Sequence, residues 1–315
     1  MKKILIFISF VILWSAAVSI AAETKEITPS DAFATADLAE RGADLLLETR
    51  GIRNVRLLKK RESGLNPMHT YQIEVANIET LILLETKEKL RPMPRVVASP
   101  MHYAPEDVEF LGKMIVHEIQ KISEAWGIRD YPRDIRHFEG KKATDVFGKN
   151  LDLFIKLRTL AGLEEITPNE VFSQLVLAAS DVKTILTQID PAQRFRIDAP
   201  KDVPSDMKPS EVFGICLKIR QDINALREHF GLPVVPVAAI AKDDDLSPSD
   251  VFVQTRIIIA ELNLLKMGTG AVSSTPLAIP VSGKTPADTY RQAVMVRYLL
   301  SQVKPLQDMM KQLGK

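Results

Sequence analysis

The chain has 315 residues, with 41 Lys and Arg against 40 Asp and Glu and a single cysteine, Cys216. This balance argues against a nucleic-acid-binding protein, which would carry a clear excess of positive charge. One cysteine cannot form an intrachain disulfide, so the fold has to be stabilised by burial of apolar side chains. The length permits one large domain or two of ordinary size.

The N-terminal segment has the pattern of a secretory signal peptide. Lys2 and Lys3 precede an apolar run over residues 4–14, and a stretch of small residues follows. We predict a signal peptide over residues 1–22 that is cleaved after Ala22. The alternative is an uncleaved membrane anchor, because the apolar stretch approaches the roughly 20 residues that span a bilayer. Small residues favour cleavage, so the mature chain is predicted to be exported without a transmembrane segment, most simply to a bacterial periplasm.

After the signal peptide, one short phrase recurs along the chain, for example as TPSDAF from Thr28, TPNEVF from Thr167 and SPSDVF from Ser247. Its second residue marks the repeat, and successive copies are 38, 38, 38, 25, 41, 39 and 38 residues apart. We call these second residues the anchors. They are Pro29, Pro67, Pro105, Ala143, Pro168, Pro209, Pro248 and Pro286. Such a regular period indicates tandem structural repeats.

The phrase has the chemistry of a helix start. A Ser or Thr before the anchor can accept a hydrogen bond from an unpaired backbone N–H, and an acid two residues after the anchor can accept one from the cap's own N–H. Proline is favoured at the first helical position, because its φ is already helical and its missing N–H would have no partner there. Each anchor is therefore predicted to begin a helix.

An apolar stripe follows each helix start. The residues 14 and 17 positions beyond the anchors are apolar in every copy, and with positions 3, 7 and 10 they have the spacing of a bundle seam. We predict eight helices of about 20 residues, roughly 30 Å long. The connectors are rich in proline, which argues against a second helix in each repeat. A connector of about 15 extended residues reaches roughly 50 Å, so it can return along a helix and consecutive helices can be parallel.

The fourth and fifth helices are joined by only a few residues, at the 25-residue spacing, and are predicted to form an antiparallel hairpin. The predicted fold class is thus all-α, with tandem one-helix repeats of about 38 residues and long extended connectors, arranged as two similar four-helix units. We place these units at residues 23–163 and 164–315, either separate or fused into one body.

The sequence shows no motif of a known catalytic or cofactor chemistry. Its five histidines are dispersed without an HExxH pair, and there is no nucleophile elbow, phosphate-binding glycine loop or dinucleotide fingerprint. We therefore predict no catalytic residue, no metal site and no bound cofactor. Cys216 falls on the apolar stripe of the sixth helix, where a buried thiol behaves as a small hydrophobe.

Two predicted helices carry polar residues where other copies are apolar. Glu74 and Asn77 in the second helix and Asn150 in the fourth stand 7 or 10 positions beyond their anchors. In parallel helices these side chains lie at nearly one height, beside Gly112 of the third helix, and form a candidate ligand-binding site. The alternative rotates the second helix by one residue and moves Glu74 to the rim. We favour this rotation, because a buried Glu is rare without a partner.

The connector after the first helix holds five basic residues within nine positions. They are Arg53, Arg56, Lys59, Lys60 and Arg61. Such a run is usually a solvated face. An exported protein also meets anionic lipids and polymers, so the run is a candidate contact with an anionic surface.

These features favour an exported helical-repeat protein that binds or scaffolds a protein partner in the cell envelope, with no nucleic-acid partner. The alternative is a carrier or sensor that binds a small molecule or lipid in a cavity between the helices. A large apolar cavity would favour the carrier, whereas filled bundles with an exposed apolar groove would favour the protein binder.

Overall fold

The structure, a computed structural model, describes residues 26–60, 62–163, 165–198, 204, 206–237 and 246–314. Over these residues the chain forms eight helices and no strand. The helices are α1 (Pro29–Thr49), α2 (Pro67–Lys87), α3 (Pro105–Ala125), α4 (Ala143–Ala161), α5 (Pro168–Ile189), α6 (Pro209–His229), α7 (Pro248–Gly268) and α8 (Pro286–Gln312). Each begins at its anchor, which confirms the one-helix repeat. The predicted signal peptide lies outside the described residues, and within them no helix has an apolar stretch long enough to span a bilayer.

The helix starts have the geometry that the recurring phrase predicts. In α7 the N–H of Ser247 donates to Asp250 Oδ2 at 2.9 Å, and the N–H of Asp250 donates to Ser247 Oγ at 3.4 Å. Where the cap has no side-chain oxygen, as at Ala104, its N–H still donates to the acid. The copy without an acid, in α2, uses His69, whose Nδ1 accepts from the Asn66 N–H at 3.1 Å.

The helix ends carry a second repeated signal, which the prediction from sequence did not include. At the end of α1, Gly51 has a φ of 71° and the N–H of Ile52 donates to Leu47 O at 2.9 Å. The equivalent bond closes α2, α3, α4, α6 and α7. Glycine suits this position because it has no Cβ to clash in the left-handed region, and the apolar residue after it packs against the bundle.

Within each unit the four helices are parallel and in register. In the first unit α1 and α2 each pack against α3 and α4, and in the second α5 and α6 each pack against α7 and α8. First-turn residues of the first unit meet in one cluster, namely Ala32, Tyr71, Val108 and Val146. Residues 17 positions after the anchors meet in another, namely Leu46, Leu84, Ile122 and Leu160. Only parallel helices bring equivalent positions together in this way.

The parallel arrangement also explains why nearly every copy of the phrase contains an acid. In the second unit the four anchors, Pro168, Pro209, Pro248 and Pro286, surround one small recess at the same end of the bundle. Four positive helix ends therefore lie close together, and a carboxylate in the first turn of each helix offsets that charge.

Extended connectors lie on the helix surfaces and are held there by side-chain amides. In α6, Asn224 Nδ2 donates to Val235 O at 2.7 Å and accepts through Oδ1 from the Val235 N–H at 3.1 Å. In α8, Nε2 of Gln302 donates to Arg196 O at 3.0 Å, and Oε1 of Gln302 accepts from the Arg196 N–H at 2.8 Å. One amide side chain thus satisfies both polar groups of a residue in an extended segment.

The two units run in opposite directions and pack through α2 and α7. Met68, at the start of α2, contacts Leu264 in the second half of α7, whereas Glu79, later in α2, pairs with Arg256 nearer the start of α7. The fourth and fifth helices therefore have opposite directions, as predicted, but the main packing between the units is α2 on α7. The units are fused into one body, and residue 164, the predicted boundary, lies outside the described residues.

The two interface helices are enclosed on all sides. Every residue of α7 from Ser249 to Lys266 is buried, because α7 packs against α5, α6 and α2. Most of α2 is buried for the same reason, between α3, α4 and α7. Their polar residues are therefore inside the protein and must be paired there.

Leu262 and Ser247 provide a test of the relative importance of core and cap. Leu262 is fully buried in α7, and Leu262→Ala is expected to lower the free energy of unfolding by about 2 to 5 kcal/mol. Ser247→Ala is expected to cost about 1 kcal/mol, because the two hydrogen bonds of the Ser247 hydroxyl with Asp250 are lost while Asp250 still accepts from the cap N–H. Chemical denaturation measures both values, and a harmless Leu262→Ala would show that this layer is not the core.

Candidate functional site

The three polar residues of the predicted ligand site meet in the core of the first unit. Asn150 Nδ2 donates to Glu74 Oε1 at 3.1 Å, and Asn77 Nδ2 donates to Asn150 Oδ1 at 3.2 Å. All three side chains are buried. A Cβ added to Gly112 would lie 3.7 Å from Glu74 Oε1, an ordinary contact distance, but only 2.9 Å from Thr35 Cγ2 of α1, so the close approach of α1 and α3 is what this glycine allows.

The favoured rotation of α2, which places Glu74 at the rim, is wrong. Because α2 packs against both α3 and α4, both of its stripes are buried in the first unit: Val75 and Ile78 belong to that apolar core, and Glu74 contacts Asn150 of α4. Burial raises the pKa of Glu74 well above its ordinary value of 4.5, and the hydrogen bond from Asn150 offsets only part of this shift. The cluster is a buried polar layer, and its binding of a ligand stays a prediction.

The basic connector between α1 and α2 is exposed at four of its five candidate residues. Arg53, Arg56, Lys59 and Lys60 are exposed, whereas Arg61 lies outside the described residues. Lys60 Nζ donates to Asp152 Oδ2 of α4 at 2.6 Å, so this lysine holds the connector on the bundle. Contact of the run with an anionic surface stays a prediction.

A buried charged network, which was not predicted, joins the two units. Arg220 of α6 is fully buried and donates to Glu261 Oε1 at 3.1 Å and to Glu62 Oε2 at 2.8 Å. Burial by itself lowers the pKa of Arg220, but the two carboxylates outweigh it and raise the pKa. Burial by itself would raise the pKa of Glu261, but the positive charge of Arg220 outweighs this effect, so the net shift of the Glu261 pKa is downwards. Both groups are therefore charged, and Glu62 belongs to the connector of the first unit.

Two more cations of the second unit are fully buried. Lys266 Nζ donates to Asp181 Oδ1 at 2.7 Å, although burial raises the pKa of Asp181 and lowers that of Lys266. None of the three guanidinium nitrogens of Arg227 has a hydrogen-bond partner among the described residues. The sequence held one signal from which these buried charges could have been predicted. Apolar residues occur on all sides of α7, which indicates an enclosed helix, and the charged residues of an enclosed helix are buried with it.

The best candidate site is a cleft between the two units, which we call the inter-unit cleft. It has a volume of about 360 Å³ and is lined by α2, the end of α4, the start of α5, α7 and the connector segment 278–281. Leu83 and Ile279 line it and are 53% and 74% exposed. Exposed apolar side chains in a concave surface are typical of binding sites.

A stack of four side chains from the two units lies at the inter-unit cleft. The rings of Phe154 in α4 and Phe252 in α7 have centroids 5.5 Å apart and planes 2° apart. The guanidinium carbon of Arg158 lies 5.7 Å from the Phe154 centroid, and that of Arg256 lies 5.2 Å from the Phe252 centroid. Cation–π contacts of this kind hold the two arginines in place at the cleft.

The charges that line the inter-unit cleft are balanced. Arg158 donates to Glu170 Oε1 at 2.6 Å, and Arg256 pairs with Glu79. Two buried atoms have no hydrogen-bond partner among the described residues, the acceptor Oε1 of Gln174 and the donor Nε of Arg256. The cleft therefore suits a ligand that is uncharged and can both donate and accept hydrogen bonds.

The side chains of the cleft with chemically reactive groups are held by other described residues. Ser173 Oγ donates to Ile279 O at 2.9 Å, and Glu79 and Glu170 are occupied by arginines. Across the described part of the chain, no group of three or more His, Cys, Asp or Glu side chains is placed to hold a metal ion. Burial raises the pKa of Cys216 to about 12, so this thiol is not a nucleophile at neutral pH.

Comparison of the chain with protein-family models, with curated proteins and with solved structures finds no match.

Proposed function

We propose that this chain is an exported protein-binding module that holds a segment of a partner protein in the inter-unit cleft. The observation that carries the proposal is the combination, in one concave surface, of the exposed apolar side chains of Leu83 and Ile279 with buried polar atoms that have no partner in the part of the chain that the structure describes. A partner segment would cover the apolar surface and complete the hydrogen bonds, which are the two sources of binding free energy at protein interfaces.

The packing of the bundles argues against a lipid or small-molecule cargo held inside either bundle. The residues 14 and 17 positions after the anchors are buried in both bundles and fill their cores. A recess among Phe147, Leu151 and Phe213 measures about 30 Å³, which is room for about one or two water molecules. This recess is far too small for a lipid chain, and a larger hollow, of about 670 Å³, is lined by exposed or half-buried residues of α6 and α8 such as Tyr298 and Lys304 and lies on the surface.

Site-specific photo-crosslinking in the full chain tests the proposal. A benzophenone amino acid is placed at Leu83 or Ile279 in the cleft, or at Phe110, which is 65% exposed on α3 and serves as the control. We expect one partner polypeptide to crosslink at both cleft positions and not at Phe110, when the protein is produced in the envelope of its own host.

Two outcomes would count against this function. Crosslinking at Phe110 equal to that in the cleft, or no polypeptide at either cleft position, would overturn it. Native mass spectrometry of the same preparation would instead favour a carrier if it showed a bound small molecule that is lost in Leu83→Glu.

A further inference from the structure

Two side-chain amides of this protein bind extended connector segments of its own chain. Asn224 and Gln302 each exchange two hydrogen bonds with the N–H and C=O of one connector residue, Val235 and Arg196 respectively, at 2.7 to 3.1 Å. Both amides stand on helix surfaces against an extended segment. The same geometry would be available to a segment from another chain wherever a third amide lines a cleft.

Gln174 is such an amide. It lines the inter-unit cleft, is 4% exposed, and its Oε1 has no hydrogen-bond partner among the described residues. The neighbouring Ser173 holds the connector segment 278–281 in place through Ile279 O, so an extended segment already forms one wall of the cleft. Nε of Arg256 supplies a donor at the same cleft.

We infer that the inter-unit cleft binds an extended, uncharged segment of the partner, one peptide N–H of which donates to Gln174 Oε1 while its apolar side chains cover Leu83 and Ile279. This inference rests on the proposed function. An anionic ligand is disfavoured because Arg158 and Arg256 are already paired with glutamates. A helical segment is disfavoured because the N–H groups of a helix interior are used within the helix.

The test selects peptides and then removes single N–H groups from them. A phage-displayed library of random dodecapeptides is panned against the full chain, and peptides that also bind Leu83→Glu are discarded. Each backbone N–H of a selected peptide is methylated in turn, and its affinity for the wild type and for Gln174→Leu is measured by calorimetry. Gln174→Leu removes a buried acceptor that no described residue uses, so the variant is expected to fold.

We expect one N-methylation to weaken binding to the wild type about tenfold, the value of one hydrogen bond, and to have no further effect on Gln174→Leu. Gln120→Leu is the matched control, since Gln120 lies on α3 and donates to Glu124 at the surface. It should respond to N-methylation as the wild type does.

The inference is overturned if no peptide is selected, or if N-methylation acts equally on the wild type and on Gln174→Leu at every position. If a polypeptide still crosslinks specifically at Leu83 in that case, the protein-binding function stands and only the extended mode fails. If nothing crosslinks there, both fail.

Discussion

Arg220→Met is expected to lower the free energy of unfolding by about 3 to 5 kcal/mol. Arg220 is fully buried and is the common partner of Glu261 and Glu62, which come from the two different units. Its removal leaves two carboxylates in the interface without their cation, and the cost of taking them out of water is no longer offset. Denaturant unfolding followed by circular dichroism measures the loss.

Two variants control this experiment. The triple variant Arg220→Met, Glu62→Leu, Glu261→Leu should recover most of the stability, because replacing a whole buried ionic group by apolar side chains is close to neutral. Arg291→Met removes the exposed pair with Asp288 and should cost under about 1 kcal/mol. An effect of Arg220→Met no larger than that of Arg291→Met would show that the network does not hold the units together.

Glu74→Gln is expected to stabilise the protein progressively as the pH rises above about 4.5, the ordinary pKa of the group. The unfolded chain loses the Glu74 proton near that pH, whereas burial keeps the proton on the folded protein to a higher pH. The folded state then holds one more proton, so the wild type loses about 1.4 kcal/mol of stability per pH unit until its folded-state pKa is reached. Glutamine is neutral at every pH, so the stability of Glu74→Gln does not fall in this way as the pH rises.

Urea denaturation of the wild type and of Glu74→Gln between pH 4 and pH 8 measures the effect. The two proteins should have similar stability at the low end of the range and diverge above it. Glu48→Gln, at an exposed position on α1, should follow the wild type over the whole range. Parallel curves for the wild type and Glu74→Gln would show that Glu74 is ionised in the folded protein.

The helix starts could be predicted from sequence because their causes are local. A cap, a proline and an acid within four residues satisfy the same backbone groups wherever the helix lies in the fold. The recurring stripe likewise predicted the layers of the bundles, since equivalent positions in parallel repeats stand at equal heights. On this basis Glu74, Asn77 and Asn150 could be placed together before the structure was known.

The burial of Glu74 could not be predicted, because it depends on a neighbour far away in the chain. The sequence pattern allows α2 to face its bundle with either of two stripes, and one choice would turn Glu74 outwards. In the structure α2 packs against both α3 and α4, so Val75 and Ile78 of one stripe and Glu74 of the other lie in the same unit's core, where Glu74 accepts from Asn150 of α4.

The inter-unit cleft shows the same limit. Arg158, Gln174 and Arg256 lie 15, 6 and 8 positions after their anchors, outside the apolar stripe, where residues ordinarily face solvent. They come together only because the two units pack in opposite directions.

By itself, the sequence determined the repeats, the helix starts and the two parallel bundles, because the hydrogen bonds and apolar stripes that specify them recur within each copy. Only the tertiary structure decided the opposed packing of the units, the Arg220 network and the cleft, because these depend on contacts between residues from different repeats that have no common local pattern.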